Sequence, residues 1–404
     1  MLVVQKYGGT SVGNLNLIKG VAQRIKKTKE EGNDVIAVVS AMGDTTDQLL
    51  NMAFSLSSSP PERELDMLAS TGEQISIALL SIALHELGCP AISFTGAQAG
   101  IITDGLFTRA RIVRIETWRI GEELRKGKVV IVAGFQGMNE KGEITTLGRG
   151  GSDTTAVAVA AAMKADVCEI YTDVDGIFTA DPRIVPEARK LKEITYDEML
   201  EMAIAGAKVL QHRAVEFAKR FSVPLHVRSS FNYNDGTWIR EEVSVERRGV
   251  ITGVTVDKKI AKITLLGVPD IPGIAHRFTK ALADKGINLD MIIQSEPRGG
   301  YNDISFTIGE SDLERAMAIL KEISDEIGAE GVSGDRGVAK VSIVGAGVCS
   351  NPEIPAIMFG TLAENDINIE LISTSEIRIS CVIREGKADL AVKALHKAFK
   401  LEEE

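Results

Sequence analysis

The C-terminal part of this chain repeats itself, and the repeat constrains the fold more than any other feature of the sequence. Residues of a first copy recur at constant spacing in a second: Pro272, Phe278, Leu282, Ala283, Ile287, Asn288, Asp290, Ile292 and Ser295 correspond to Pro352, Met358, Leu362, Ala363, Ile367, Asn368, Glu370, Ile372 and Ser375. The apolar runs around them repeat too, residues 262–267 with 340–345 and residues 304–306 with 379–381. Two copies of one structural unit therefore form this region.

Each copy predicts the order β-α-β-β-α, which is a ferredoxin-like α+β module. After the helix predicted at 389–400, only a short acidic tail remains, so the second copy lacks a final strand. An extra strand-like run, residues 250–256, precedes the first copy. We predict that this run pairs into the sheet of the second copy, because an unpaired sheet edge would promote aggregation.

The first half of the chain alternates short apolar runs with helical patterns at 15–31 and 73–87. The predicted strands are residues 2–4, 35–39, 91–94, 129–133, 167–171 and 224–227. Runs buried on both faces that alternate with helices indicate an α/β domain with a mostly parallel sheet sandwiched by helices. The predicted divisions are a catalytic domain at 1–232, a linker at 233–249, a first module at 262–336, and a second module at 250–256 plus 337–404.

The charge balance argues against some partners. The 404 residues include 56 acidic and 46 basic side chains, a net charge of −10, which disfavours nucleic acid or an anionic membrane as the main partner. The N-terminus lacks the pattern of a signal peptide, and no apolar run approaches the length of a membrane span. We interpret the chain as cytoplasmic. Its cysteines and histidines show no metal-ligand spacing, so no protein metal site is predicted.

A glycine pair follows the first predicted strand. Lys6 precedes Tyr7, Gly8, Gly9 and Thr10 at the start of a helical pattern. Two residues without side chains let backbone N–H groups approach a phosphate at a helix N-terminus, and the lysine adds a charge beside it. A glycine turn with a surface lysine is the alternative. The sequence is not a Walker loop, since that pattern occurs nowhere in the chain.

Two further loops resemble ligand sites. Residues 148–153 form a second glycine loop before a small-residue helix, in which Arg149 could grip a carboxylate or phosphate and Asp153 could meet an ammonium group. Residues 172–178, followed by Asp181, Pro182 and Arg183, form a loop beyond a buried strand. Its spacing does not fit a calcium-binding EF-hand and fits a nucleotide loop better.

Together these motifs resemble the aspartokinases of the amino-acid-kinase fold, over nearly the whole chain. The motifs that carry the resemblance are residues 6–11, 39–43, 71–73, 148–153, 172–176 and 207–210. Residues 370–377 resemble the second of the two ACT modules that aspartokinases carry. The length leaves no room for a fused homoserine dehydrogenase, so the resemblance is to the monofunctional kind.

The resemblance implies transfer of the γ-phosphoryl group of ATP, carried as the Mg²⁺ complex, to the β-carboxylate of L-aspartate. The product, 4-phospho-L-aspartate, leads toward lysine, threonine and methionine. The implied catalytic residues are Lys6, Lys208 and Asp153. The implied substrate residues are Ser40, Thr46, Glu73, Arg149, Gly150, Gly151 and Ser152. The implied nucleotide residues are Lys6, Gly8, Gly9, Thr10, Thr172, Asp173, Phe178, Arg183 and Lys208.

The same resemblance implies feedback inhibition by threonine, lysine or both. The implied effector residues are Asp270, Gly273, Ala275, Asn288, Gln294, Asn368 and Ser375. It implies a homodimer through the ACT modules and leaves open a larger assembly or a separate regulatory subunit. Two alternatives stay open: another enzyme of the same fold acting on glutamate, acetylglutamate or carbamate, and a non-catalytic regulator that binds amino acids.

Overall fold

The computed structural model describes residues 1–242, 250–348 and 350–403. The chain forms two compact units. The first comprises Met1–Ile177, Lys190–Ala203 and Lys208–Val243, and the second comprises Phe178–Arg189, Ile204–Ala207 and Ser244–Glu404. Two short segments that precede the predicted linker thus pack with the C-terminal part of the chain.

The first unit is built on a sheet of eight strands. The strands of this unit are β1 (Leu2–Tyr7), β2 (Asp34–Val39), β3 (Ala91–Phe94), β4 (Ile101–Thr103), β5 (Ile112–Ile115), β6 (Val129–Ala133), β7 (Gln136–Asn139), β8 (Ile144–Thr146), β9 (Val167–Thr172), β10 (Glu193–Thr195), β11 (Leu225–Ser229) and β12 (Thr237–Arg240). The large sheet has the order β10-β12-β11-β9-β1-β2-β6-β3. All six predicted strands lie in it and pair in parallel, which confirms the predicted sheet.

Helices cover the sheet because its strands are apolar on both faces. Every residue of β6 is buried. The helices that begin in this unit are α1 (Leu15–Glu30), α2 (Thr45–Leu56), α3 (Glu62–Ala69), α4 (Thr71–Glu86), α5 (Trp118–Arg125), α6 (Gly151–Met163), α7 (Tyr196–Ile204) and α8 (His212–Phe221). One core joins α1, α4 and the sheet through Ile25, Leu80 and Ile131.

A second, smaller sheet was not predicted. It has the order β5-β4-β7-β8 and lies in the same unit. Its strands are only three or four residues long, and β5 has no buried residue, so their sequences carry neither a continuous apolar run nor a clear alternation.

The helical stretch Glu62–Glu86 is long and apolar enough, by length and composition alone, to cross a membrane, contrary to the expectation from the sequence. Its most apolar window is 44% buried within the structure. Ile77, Leu80 and Leu84 on α4 pack in the core of the first unit. The apolar side chains of α4 within this stretch therefore pack against the large sheet.

The second unit contains two modules, each with a four-stranded antiparallel sheet. The first module comprises β14 (Ile260–Pro269), α9 (Ile274–Asp284), β15 (Asp290–Gln294), β16 (Tyr301–Gly309), α10 (Leu313–Ile327) and β17 (Gly331–Asp335). The second comprises β18 (Val338–Val344), α11 (Glu353–Glu364), β19 (Leu371–Ser375), β20 (Arg378–Arg384) and α12 (Ala388–Ala398). The sheet orders are β15-β16-β14-β17 and, with one further strand, β13-β18-β20-β19.

That further strand, β13 (Gly253–Asp257), precedes the first module in sequence. It pairs antiparallel with β18, from Gly253 opposite Val344 to Asp257 opposite Lys340. The predicted pairing is thus confirmed for residues 253–256, and the first module is inserted within the second. The part of the predicted linker at 243–249 lies outside the described residues, as does Cys349.

Candidate active site

Several of the predicted residues lie in loops that leave the carboxyl ends of neighbouring strands. β1, β2, β6 and β9 run parallel, so their carboxyl ends lie at one edge of the large sheet. In open α/β sheets, ligands bind in the crevice outside this edge. The loops that leave this edge begin at Gly8, Ser40, Gly134 and Asp173.

Lys6 and Asp153 form an ion pair at this edge. Lys6 Nζ lies 2.7 Å from Asp153 Oδ1, and the two side chains are 12% and 10% exposed. Lys6 is the second-to-last residue of β1, just before the glycine pair, and Asp153 is in the first turn of α6. The structure therefore brings a lysine and a carboxylate from two predicted motifs into contact, at a helix N-terminus suited to an anion.

The first glycine loop lies directly against the loop after β2. Gly43 N donates a hydrogen bond to Gly9 O at 3.1 Å, and Ser40 N donates to Tyr7 O at 3.0 Å. A Cβ atom at residue 9 would approach the carbonyl oxygens of Ala41 and Gly43 to 3.0 and 3.1 Å. Glycine at this position thus permits the close approach of two backbone segments.

Glu73, near the start of α4, is buried with 2% of its surface exposed. Its Oε1 accepts a hydrogen bond from Ala41 N at 3.2 Å. Its Oε2 has no hydrogen-bond partner within the described part of the chain. Burial raises the pKa of this carboxyl to about 7. An orphaned carboxylate oxygen is an acceptor suited to an ammonium group.

The second glycine loop lies against the loop that carries Lys208. Gly150 has a left-handed backbone, with φ of +70°, and a Cβ atom there would overlap the side chain of Gln211. Arg213 Nη1 also donates to Leu147 O at 2.9 Å. Lys208 lies in the short loop between α7 and α8 and is exposed, three positions before Gln211. Arg149 is exposed as well, at the tip of the glycine loop.

Asp66, on α3, holds the same region in place and was not singled out from the sequence. Its carboxylate accepts hydrogen bonds from the backbone N–H groups of Thr108 and Thr146, at 2.9 Å each, and from Thr146 Oγ1 at 2.6 Å. It thereby fixes the strand that leads into Gly148. No local motif identifies such a residue, because its partners lie 42 and 80 positions away.

The residues predicted for the nucleotide are divided between the two units. Thr172 ends β9, and its carbonyl accepts a hydrogen bond from Ser230 Oγ at 3.1 Å. Ser230 Oγ also accepts from Ser11 Oγ of the first glycine loop at 3.0 Å, so these loops are neighbours. Phe178 and Arg183 belong to the second unit. Phe178 packs there against the core of the second module.

The residues predicted for an effector lie on the two modules of the second unit. Asp270, Gly273 and Ala275 surround the N-terminus of α9, and all three are exposed. Asn288 precedes β15 and Gln294 ends it, while Asn368 precedes β19 and Ser375 ends it. β15 and β19 are edge strands of their sheets and contact each other.

Among the described residues, no group of three or more His, Cys, Asp or Glu side chains is arranged to hold a metal ion. Mg²⁺ commonly uses one or two carboxylates together with substrate phosphates. Asp153, the carboxylate beside the glycine loops, is already paired with Lys6, so a magnesium ion that arrives with a nucleotide would be held mainly by the phosphate oxygens.

Comparisons with known proteins agree with this geometry. Residues 1–229 match the Amino acid kinase family, and residues 262–325 and 341–399 each match the ACT domain. An aspartokinase of Bacillus sp. (strain MGA3) is 53% identical over 401 residues, covering 99% of this chain and 97% of that protein. An aspartokinase of Mycolicibacterium smegmatis is 52% identical over 406 residues, covering 99% and 96%.

Solved structures give the same result. E. coli aspartokinase III in complex with aspartate and ADP (R-state) matches with a TM-score of 0.84 at 25% identity, over 98% of this chain and 99% of that one. The same enzyme in complex with lysine and aspartate (T-state) matches with a TM-score of 0.75 at 26% identity, over 98% and 99%. With its kinase domain, two ACT domains and full-length identity of about half, the chain belongs to the aspartokinase family and is an aspartate kinase.

Proposed function

We propose that this protein transfers the γ-phosphoryl group of MgATP to the β-carboxylate of L-aspartate, giving 4-phospho-L-aspartate and ADP. A carboxylate oxygen of aspartate attacks the γ-phosphorus, and the bond from that phosphorus to the β,γ-bridging oxygen breaks. The observation that carries this proposal is the Lys6–Asp153 pair between two glycine loops, with the orphaned carboxylate oxygen of Glu73 nearby along the same edge.

The lysines serve the phosphates in this proposal. Lys6 places its ammonium group beside Gly8, whose Cβ position would lie 3.3 Å from Lys6 Nζ. The backbone N–H groups of the loop and the charge of Lys6 stabilise the negative charge on the transferring group, with Lys208 acting from the neighbouring loop. Mg²⁺ bound to the nucleotide supplies further positive charge to the phosphate oxygens.

The acidic residues and Arg149 serve the amino acid. Glu73 accepts from the ammonium group of aspartate, and Arg149 donates to a carboxylate through two parallel hydrogen bonds. Asp153, held by Lys6, contributes negative charge close to the ammonium group. Ser40, Thr46 and Ser152 complete the proposed aspartate site.

A substrate panel tests the proposal. L-Aspartate, L-glutamate, N-acetylglutamate and carbamate are offered with MgATP, and acyl phosphates are trapped with hydroxylamine. We expect kcat/KM for aspartate to exceed that for glutamate by at least about 10²-fold, because the extra methylene misplaces the carboxylate relative to the γ-phosphate. Comparable values for two substrates would contradict the assignment, and hydroxamate with none of them would favour a non-catalytic regulator.

The raised pKa of Glu73 predicts a pH dependence for aspartate binding. Below pH 7 the carboxyl takes up a proton and loses its attraction for an ammonium group. We therefore expect kcat/KM for aspartate to fall about 10-fold between pH 8 and pH 6, mainly through KM, at saturating MgATP. The Glu73→Gln variant should have a low and nearly flat profile over the same range. A flat profile for the unmodified enzyme would remove Glu73 from aspartate binding.

We further propose that threonine, lysine or both inhibit the enzyme through the ACT domains, and that these domains form a homodimer. Exposed polar groups on Asp270, Asn288 and Gln294 support an amino-acid ligand at the N-terminus of α9 and along β15. Gln294→Ala is expected to weaken inhibition by at least about 5-fold without changing kcat. Lys321→Ala, on the exposed side of α10, is the matched control. Unchanged inhibition in Gln294→Ala would refute this pocket.

A further inference from the structure

Lys340 is a buried lysine at the centre of the second unit. It lies on β18 with only 2% of its surface exposed. Its Nζ lies 2.5 Å from Asp290 Oδ2 and donates a hydrogen bond to Ile204 O at 3.3 Å. A buried ammonium group is costly unless it is paired and hydrogen-bonded. One side chain of the second module is thus bound to both the first module and the end of α7.

A related ion pair occupies the equivalent position of the repeat. Lys262 on β14 pairs with Glu370, and these two residues correspond to Lys340 and Asp290. Arg384 Nε also lies 2.7 Å from Glu370 Oε1. Each module thus sends a lysine to an acidic residue of the other. The difference lies at Ile204, because within the described residues Lys262 has no bond to the 204–207 segment.

The 204–207 segment is held against β13 by two further features. Thr255 Oγ1 donates to Ala205 O at 3.1 Å, and this bond is buried. Gly206 has φ of +111°, and a Cβ atom there would approach Val256 O to 2.6 Å. Ala207 is joined directly to Lys208. Because Ala207 and Lys208 are consecutive residues, the position of the 204–207 segment restricts the position of the backbone at Lys208.

Asp290 lies between the proposed effector residues Asn288 and Gln294 in sequence and begins β15. Its side chain is 37% exposed, whereas that of Lys340 is 2% exposed. If β15 shifts, Asp290 can be solvated, but Lys340 would be left as an uncompensated buried charge. If Lys340 moves with Asp290, its hydrogen bond to Ile204 O lengthens. If Lys340 stays in place, the cost of its unpaired charge opposes the shift of β15.

We propose that Lys340 is a positioning residue for the loop that carries Lys208, and that it transmits displacement of the first ACT domain to that loop through Asp290. This inference rests on the proposed role of Lys208 at the nucleotide. It assigns different tasks to two ion pairs that the repeat makes equivalent. The Lys340–Asp290 pair couples regulation to nucleotide binding, and the Lys262–Glu370 pair only joins the modules.

The test compares Lys340→Met with Lys262→Met in the full-length enzyme. Each substitution removes one ion pair between the modules and keeps a side chain of similar length. We expect Lys340→Met to raise KM for MgATP at least about 5-fold, to leave KM for aspartate within about twofold, and to abolish the effect of threonine or lysine on KM for MgATP. Lys262→Met should leave all three quantities unchanged. Binding of a fluorescent ATP analogue without aspartate gives a measurement independent of turnover.

Asp290→Asn separates the two parts of the inference. It keeps the bond from Lys340 to Ile204 O, so KM for MgATP should change less than in Lys340→Met while the response to effector is lost. If Lys340→Met does not fold, the double variant Lys340→Met/Asp290→Leu, which leaves neither charge unpaired, replaces it with the same expectation.

Equal changes in KM for MgATP in Lys340→Met and Lys262→Met would overturn the inference, because both would then report only loss of packing between modules. Normal nucleotide binding with full inhibition in Lys340→Met would overturn it as well. Neither result touches the proposed function, which fails only if the unmodified enzyme forms no acyl phosphate from aspartate. If the unmodified enzyme responds to no effector, the nucleotide-binding comparison decides the positioning role.

Discussion

Replacing Lys6 by alanine is expected to lower kcat by at least about 10²-fold while the protein stays folded. The side chain supplies a preorganised positive charge between Gly8 and Asp153, with Nζ 2.7 Å from the carboxylate. Its loss leaves the transferring phosphoryl group without one donor and Asp153 without its counter-charge. Initial rates of ADP release at saturating aspartate and MgATP measure the effect.

Two controls make this result specific. Lys19→Ala removes an exposed lysine from α1 and should leave kcat unchanged. Lys6→Arg keeps the charge but not the compact ammonium group, and it should recover only part of the activity, because a planar guanidinium does not fit a site built for a point charge. A kcat for Lys6→Ala within a few-fold of the unmodified enzyme would exclude Lys6 from the mechanism.

Gly150→Ala is expected to cause a loss of similar size by moving the second glycine loop. A left-handed backbone conformation costs a non-glycine residue about 1 kcal/mol, and the added Cβ would overlap Gln211. Either Gln211 or the loop from 148 to 153 must move, and a displacement of about 1 Å near reacting groups can cost about 10² in rate. Steady-state kinetics with both substrates varied would show a lower kcat and a higher KM for aspartate.

Gly142→Ala provides a matched control for backbone strain. Gly142 lies in the turn between β7 and β8 with φ of +82°, and no atom lies within 4 Å of its Cβ position. The variant should lose stability, about 1 kcal/mol by denaturant unfolding, without losing activity. If the two glycine variants had equal activity, the contact between Gly150 and Gln211 would have no part in positioning the loop.

Six of the eight strands of the large sheet could be predicted from the sequence because they contain continuous apolar runs. β6 is the clearest example, with five buried apolar residues in succession. The other two, β10 and β12, are only three and four residues long and include charged residues, and β12 lies within the segment predicted as a linker. The repeat predicted both modules, and the missing last strand of the second copy predicted the pairing of β13 with β18. Apolar runs, an internal repeat and the number of strands in each copy are visible in the sequence itself, so they can be recognised without knowledge of the tertiary contacts.

Features that depend on distant partners could not be predicted. The pKa of Glu73 depends on burial by segments far from it in sequence, and a Thr-Gly-Glu motif does not reveal the degree of burial. The segment Phe178–Arg189 follows β9 directly, so the sequence assigned it to the catalytic domain, whereas it packs in the second unit. Its apolar residues show neither the helical nor the strand period that would have marked a separate packing surface.

The placement of Phe178–Arg189 has a practical meaning for protein engineering. Ala180, Val185 and Ala188 of this segment are buried in the core of the second module. In a catalytic fragment that ends at residue 232, these three side chains would be exposed to solvent. The remaining regulatory fragment would have a cavity in its core. Chimeras that exchange regulatory parts between aspartokinases should therefore exchange residues 178–189 and 204–207 together with the C-terminal region, so that each hybrid inherits an intact core.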